Sequence, residues 1–271
     1  LWFFEGFTSY YDDLLLRRCG LIDDATYLKL LNKTINQVDQ APGRLVQSVA
    51  QASFDAWVKY YRQDENTPNQ TISYYSKGAL VALCLDLTLR SEGQTTLDEV
   101  MRGLWARSAG GPLSEADILS VLREKAGRSF EREFAQWVHG TRELPLPELL
   151  PRLGVAVSDD AAQWQQRLGL RSAEANGSVM IKNVLRGGAA EQAGFSAGDE
   201  WLGIEVAGQG WRLSRVDDLP LYAGANRKVT AIVSRDARLL RLPLDLGAAV
   251  HTRRLVLRDA ALAAPWLSGA S

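Results

Sequence analysis

The sequence is 271 residues long, with 46% hydrophobic and 23% charged side chains, the balance of a globular protein with two domains or one large one. A formal net charge of −1 gives no electrostatic case for binding DNA, RNA or anionic lipid. The longest apolar run, Ala79 to Leu87, already contains Asp86 and falls well short of the roughly 20 residues of a membrane span.

Cys19 and Cys84 lie far apart and read as small buried side chains rather than a disulfide or a metal site. With only His139 and His251, this chain by itself builds neither a histidine-rich metal centre nor, in all expectation, a serine triad. His139 fits a cation at a helix C-terminus, and His251 suggests no chemistry.

The opening stretch LWFFEGFTSYY sets one carboxylate, Glu5, among apolar and aromatic side chains. A charge in such company finds a partner, binds a metal or gives up its charge. No initiator Met, leader or tag precedes Leu1, so the chain is expected to begin inside a larger protein. From Phe7 the apolar residues Tyr10, Tyr11, Leu14 and Leu15 recur at helical spacing, which puts Glu5 at or just before a helix start, with Gly20 at its end. Asp23 or Asp24 caps a second helix that Pro42 stops. Residues 43–62 read as helical or irregular with an aromatic face of Phe54, Trp57 and Tyr60, and QDENTPNQ (63–70) reads as a polar loop.

ALVALCLDLTLR is apolar nearly all round and reads as a buried central helix. Helices at 97–107, 115–126 and 130–139 follow behind Thr95-Thr96, Ser114 and Ser129, hydroxyls suited to capping. Past Leu144-Pro145-Leu146-Pro147 the period changes. Val179–Leu185, Trp201–Val206, Lys228–Ser234 and Leu239–Leu244 read as strands, with Asp236 in a tight turn and short helices at Ala189–Ala193 and Val216–Tyr222. The expected organisation is a mainly helical domain at 1–149, a small β domain at 150–250 and a tail at 251–271, an α+β chain overall.

The run VLRGGAAEQAGFSAGDEWL (184–202) resembles the PDZ family, whose bacterial members order a strand, a Gly-Ala-Ala helix start, Ala-Gly-Phe and Ala-Gly-Asp in this way. The resemblance covers about 160–246 and implies a small β-barrel or sandwich that binds protein C-termini by strand addition. It would place a carboxylate-binding loop at Arg167, Leu168, Gly169 and Leu170, with the helix near 216–222 as the other wall of the groove.

Trp-x-x-Glu-Gly-Phe-Thr-x-Tyr-Tyr, then Tyr-x-Lys-Gly-Ala at Tyr75, resembles the gluzincin metallopeptidases, and within them the glycyl aminopeptidase family. Leu85-Asp86-Leu87, Thr96 through Met101 and Trp137 through Thr141 agree in the same order. The resemblance implies the C-terminal part of a thermolysin-like catalytic region. In that family two histidines of an H-E-x-x-H helix and a later glutamate hold zinc; Glu5 matches the glutamate, and Tyr75 matches the tyrosine that donates to the oxyanion. Thr8 would orient Glu5 or simply cap a helix. Asp86 would bind a substrate amine or, as its spacing favours, form a buried ion pair with Arg90.

This chain contains no H-E-x-x-H. The expectation is therefore a zinc aminopeptidase for small N-terminal residues in the complete protein, with peptide as substrate, zinc as its cofactor, and this chain alone metal-free and inactive. The alternative is a non-catalytic PDZ module recruiting protein C-termini. The compartment does not follow from these residues; the cytoplasm is slightly favoured.

Overall fold

The structure, a computed structural model, describes residues 1–247 and 249–269. Its helical part comprises α1 (Trp2–Arg18), α2 (Asp24–Asp39), α3 (Val49–Phe54), α4 (Thr67–Gln70), α5 (Tyr74–Glu92), α6 (Leu97–Ser108), α7 (Glu115–Ala126), α8 (Glu131–Trp137) and α9 (Leu146–Leu149). Of the expected caps, Asp23, Thr96 and Ser114 each accept a backbone N–H from the first turn of the helix they precede, and Ser73, not singled out in the sequence, does so for α5. Ser129 is not the cap expected: Phe130 takes the N-cap position of α8, and Ser129 accepts from the Glu131 amide at 3.2 Å from one residue earlier. Helix α5 is buried around most of its circumference, as its apolar composition requires.

Helix α1 lies across α5 at a contact between two glycines. A Cβ on Gly6 would stand 2.6 Å from the backbone of Gly78, and one on Gly78 would stand 2.8 Å from the carbonyl of Trp2. Only glycine permits this backbone approach. Around it Trp2, Phe3, Phe7 and Phe134 pack edge to face or tilted, with Trp2 and Phe134 centroids 5.9 Å apart.

Two expectations change here. Helix α1 starts at Trp2, so Glu5 lies inside its first turn rather than before it. The run 63–70 is not all loop: Asp64 accepts from the Asn66 amide and the Thr67 hydroxyl, and Pro68 opens the short helix α4.

Strand β1 (Val155–Ala161) leaves the helical part, and the chain then builds a second lobe. It contains α10 (Trp164–Leu168), β2 (Leu170–Ala175), β3 (Ser178–Val184), α11 (Ala189–Ala193), β4 (Glu200–Val206), β5 (Gln209–Arg212), α12 (Leu219–Ala223), β6 (Lys228–Arg235) and β7 (Arg238–Asp245). The sheet order is β2-β3-β4-β6-β7, with β5 paired to β4 and neighbouring strands antiparallel. Of the barrel or sandwich expected, the closed barrel is not formed: this is an open sheet around its own core, with β2 and β7 at the ends of the strand order. Buried Asp199 of Ala-Gly-Asp accepts two hydrogen bonds from Arg235, at 2.7 and 2.8 Å, and one from the Ser196 amide.

The expected tail at 251–271 is no tail over its described residues. Strand β8 (His251–Leu257) pairs antiparallel with β1, from Val155↔Leu257 to Ala161↔His251. Helix α13 (Ala260–Leu267) then returns to the first core, where Trp266 is fully buried. The upstream domain therefore includes residues from both ends of the chain, and the second lobe is inserted between β1 and β8.

Two asparagine side chains tie helices to the ends or edges of strands by imitating a strand. Asn36 donates to the Arg253 carbonyl and accepts from its amide, both at 2.8 Å. Asn69 does the same at the end of β3, donating to Val184 O and accepting from Arg186 N at 2.8 Å each. No helix among the described residues is long and apolar enough to cross a membrane.

Gly6→Ala or Gly78→Ala should therefore force α1 and α5 apart. Each is expected to destabilise by about 1–3 kcal/mol, the scale of overpacking a tight contact, read from urea denaturation.

Candidate active site

The crossing at Gly6 and Gly78 sets the two principal sequence-predicted residues beside each other. Glu5 precedes Gly6 on α1, and Tyr75 lies one turn before Gly78 on α5. The Glu5 carboxylate is close enough to Tyr75 and Tyr61 for its charge to oppose ionisation of both phenols. Glu5 is half-buried, and its carboxylate has no hydrogen-bond or ion-pair partner among the described residues. The macrodipole favours an acid in the first turn of a helix, yet it does not satisfy the oxygens of a carboxylate near Tyr61 and Tyr75.

Tyr75 belongs to a cluster of phenols. Tyr61 Oη lies 3.1 Å from Tyr74 Oη and 3.3 Å from Tyr75 Oη, while the Tyr74 and Tyr75 rings stack at 4.7 Å. Tyr60 bonds the Ser73 hydroxyl at 3.3 Å. The hydrogen bond with Tyr61 pushes the Tyr75 phenol above its ordinary pKa, so its proton stays in place at neutral pH. Tyr74 is almost fully buried and is pushed up chiefly by that burial. Tyr75 is the more exposed of the adjacent pair.

Tyr61 was not singled out by the sequence reading. It follows a π-helical turn at Ala56–Tyr60 whose wider winding aims consecutive tyrosines into one cluster. Trp57 packs against Tyr61 with ring centroids 5.2 Å apart, and Phe4, Phe54, Trp57 and Val58 are all largely exposed, from 59% to 91%, an exposed apolar rim on the segments that carry Glu5 and Tyr61. Phe54 and Trp57 therefore form an aromatic face, but one turned outward.

Thr8 does not reach the Glu5 carboxylate. Its hydroxyl donates to the backbone carbonyls of Phe4 at 2.8 Å and Glu5 at 3.1 Å. Lys77, in the Tyr-x-Lys-Gly run, is buried, and burial lowers its pKa; it faces the seam near Glu143 and Arg44 rather than the phenols.

Asp86 is fully buried and spent on structure. It accepts from Tyr10 Oη at 2.7 Å, Arg90 Nε at 3.0 Å and the Leu97 amide at 2.9 Å. Arg90 continues to Asp98 and to the Pro265 carbonyl, and Tyr10 accepts from Trp266 Nε1 at 2.9 Å. This network ties α1, α5, α6 and α13 together and leaves Asp86 no acceptor facing the cluster. Of the remaining residues, Cys84 is buried but Cys19 is exposed, contrary to expectation, and both are free thiols. His139 bonds Glu115 at 2.7 Å.

The loop expected to hold a carboxylate has a different form. Arg167 and Leu168 end α10, Leu170 opens β2, and only Gly169, at φ +69°, lies between. The Arg167 amide donates to Gln163 O and the Gly169 amide to Gln166 O, so neither points at a ligand. Leu168 and Leu170 are buried in the second core. Helix α10 also covers the β2 edge: Gln165 accepts from the Ser172 amide at 3.1 Å and donates to Glu174, which accepts from the Val216 amide at 3.1 Å. One backbone amide of the β2 edge is thus bound by a side chain of α10.

Among the described residues, no group of three or more His, Cys, Asp or Glu is placed to hold a metal ion. What the site offers is one unpartnered carboxylate beside a phenol that keeps its proton.

The sequence profile of the M61 glycyl aminopeptidase family matches residues 1–81, the segment that carries Glu5, Tyr61 and Tyr75. The chain is also similar to the crystal structure of an aminopeptidase N family protein from Idiomarina loihiensis, with 31% identity and a TM-score of 0.89. That match covers 98% of this chain and 48% of the other, so the chain spans about half the length of the protein it resembles. No curated protein sequence matches it.

Two tests separate structure from chemistry here. Asp86→Ala would leave Arg90 and Tyr10 without their buried partner and should cost about 3–5 kcal/mol in urea denaturation. Asp98 is the acid-sensitive member. Burial works to raise its carboxyl, but the Arg18 hydrogen bond and charge, with Tyr11 and Arg90, hold it below the ordinary value of 3.8. A depressed folded value means that this stabilisation is fully present above the unfolded value and is lost as pH falls through the folded one. Asp98→Asn should flatten the stability–pH curve below about pH 4, where aspartate ordinarily titrates.

Proposed function

We propose that this chain is the C-terminal part of a zinc-dependent aminopeptidase that removes small N-terminal residues, glycine or alanine, from peptides, with a PDZ-like lobe inserted near its end. The observation that carries the reading is the half-buried, unpartnered Glu5 carboxylate beside Tyr75. The family match over residues 1–81 supports it.

The donor set fits zinc as far as this chain reaches. A carboxylate oxygen is a suitable ligand, and a catalytic site takes three protein ligands. Glu5 would be one of them, and the two histidines and the general-base glutamate would come from an H-E-x-x-H segment outside this sequence. When bound, the metal would supply Lewis acidity to the reaction and neutralise Glu5.

The oxyanion contact would belong to this chain. Tyr75 donates a hydrogen bond to the carbonyl oxygen of the scissile peptide bond as negative charge gathers there. Its raised pKa keeps that proton available. Tyr61, 3.3 Å away, holds the hydroxyl in position before substrate arrives. The rim of Phe4, Phe54 and Trp57 is suited to exclude water once the complementary segment covers it.

In the complete protein, Glu5→Ala should abolish stoichiometric zinc and turnover together. Tyr75→Phe should retain zinc and lose kcat by about 10²–10³, the scale for one oxyanion donor. Metal analysis beside steady-state kinetics checks both; full activity in either variant would remove that residue from the site. The 271-residue chain alone should show no hydrolysis.

A further inference from the structure

Two cavities of this molecule meet at one arginine. The smaller, about 140 Å³, has Tyr60, Gln63, Thr71, Ser73, Ser76 and Arg171 in its wall, with Val38, Ala41, Pro68 and Ile72 among its apolar members. Tyr60 links it to the proposed oxyanion donor, since the Tyr60 and Tyr75 centroids are 6.1 Å apart. The larger, about 660 Å³, lies between α2 and the inserted lobe, and Arg171 forms part of its wall as well. A volume of this size is typical of small-ligand sites.

The charges of the larger cavity do not cancel. Arg44 pairs with Glu143 at 3.0 Å and Arg253 with Asp39 at 2.6 Å. The remaining Arg167, Arg171 and Arg186 face one unpaired carboxylate, Asp159, and none of these four forms an ion pair among the described residues. Arg167 is otherwise engaged, donating to the Leu246 carbonyl at 3.1 Å and lying over the Trp164 ring. Arg171 and Arg186 are left as cations without an internal role.

Their backbones are nevertheless held against the helical domain. The Arg186 amide is bound by Asn69, and Asn183, the cross-strand partner of Arg171, donates to the Glu65 carbonyl at 2.9 Å. Two unpaired guanidinium groups on pinned backbone, one of them in the wall of a cavity that Tyr60 also lines, suit a peptide with its anionic end away from the reacting bond. The hydroxyl and amide side chains in the mixed lining of the smaller cavity suit its backbone.

Resting on the aminopeptidase reading, the geometry points to Arg171 as the residue that binds the C-terminal carboxylate of a short peptide substrate, with Arg186 adding a second positive charge. The inserted lobe thereby selects short peptides with a free carboxyl end. Arg171 is a specificity residue and takes no part in the bond cleavage.

The test has two arms. In the first, the 271-residue chain is titrated at low ionic strength with alanine peptides of increasing length, each as free acid and as C-terminal amide. One free acid in the series should bind about three- to tenfold tighter than its amide, the scale of a charge-assisted contact at a partly exposed site. Arg171→Ala should erase that difference and Arg171→Lys restore part of it. Equal binding of acid and amide, no binding of either, or a preference that survives Arg171→Ala would each overturn the assignment.

In the second arm, Arg171→Ala in the complete protein should raise KM for the same free-acid peptide with kcat unchanged, and leave hydrolysis of an alanine anilide as it was. A complete wild-type protein that hydrolyses no peptide would refute the aminopeptidase reading. The binding arm would still decide whether Arg171 holds a carboxylate.

Discussion

The backbone contact between Gly6 and Gly78 is the constraint on which the candidate site depends. Because neither residue carries a Cβ, α1 and α5 approach to a separation that any side chain would prevent. The approach sets the first turn of one helix against the first turns of the other. A carboxylate and a phenol some seventy positions apart in sequence thereby come to lie near each other. The far ends of the same helices are fastened by different means: Asp86 collects Tyr10, Arg90 and the Leu97 amide, and Trp266 closes over Tyr10. Close packing positions the site, and buried polar bonds prevent the two helices from sliding.

Much of the helical part was legible in the sequence because capping and periodicity are local. Asp23, Thr96 and Ser114 sit where a short acceptor must precede a helix, and the structure uses each of them so, whereas Phe130 displaces Ser129 from the N-cap of α8. The start of α1 was missed for an equally local reason. Leu1 to Phe4 are apolar without a break, so no period marks where the helix begins. Tyr61 was invisible because the π-helical turn before it changes which side chains share a face.

The long-range pairings left the weakest trace. Strands β1 and β8 carry exposed, charged residues and meet across nearly the whole inserted lobe, so neither alternates clearly. The helix α10 that lies beside β2 is nucleated by glutamines, with Gln163 and Gln166 forming the capping box. Glutamine is not a residue that announces a helix start. Asn36 and Asn69 look in sequence like ordinary surface asparagines; only the fold shows each of them completing a remote strand. The candidate residues near the N-terminus were recognised from a motif, whereas the covered β2 edge could be seen only in three dimensions.

Strands β1 and β8 also determine how the second lobe is attached. The chain leaves at Ala161 and comes back at His251, which are cross-strand neighbours, with Ala162 donating to the Val250 carbonyl at 3.3 Å. The two ends of the lobe are therefore about 5 Å apart, the spacing of any antiparallel pair. Geometrically the lobe is a very long hairpin loop. It can be exchanged for another domain with adjacent termini, or replaced by a tight turn, without interrupting the helical core. The helical scaffold and its inserted lobe are thus free to follow separate evolutionary histories, one conserving the crossing of α1 and α5 and the other altering what lies beside it.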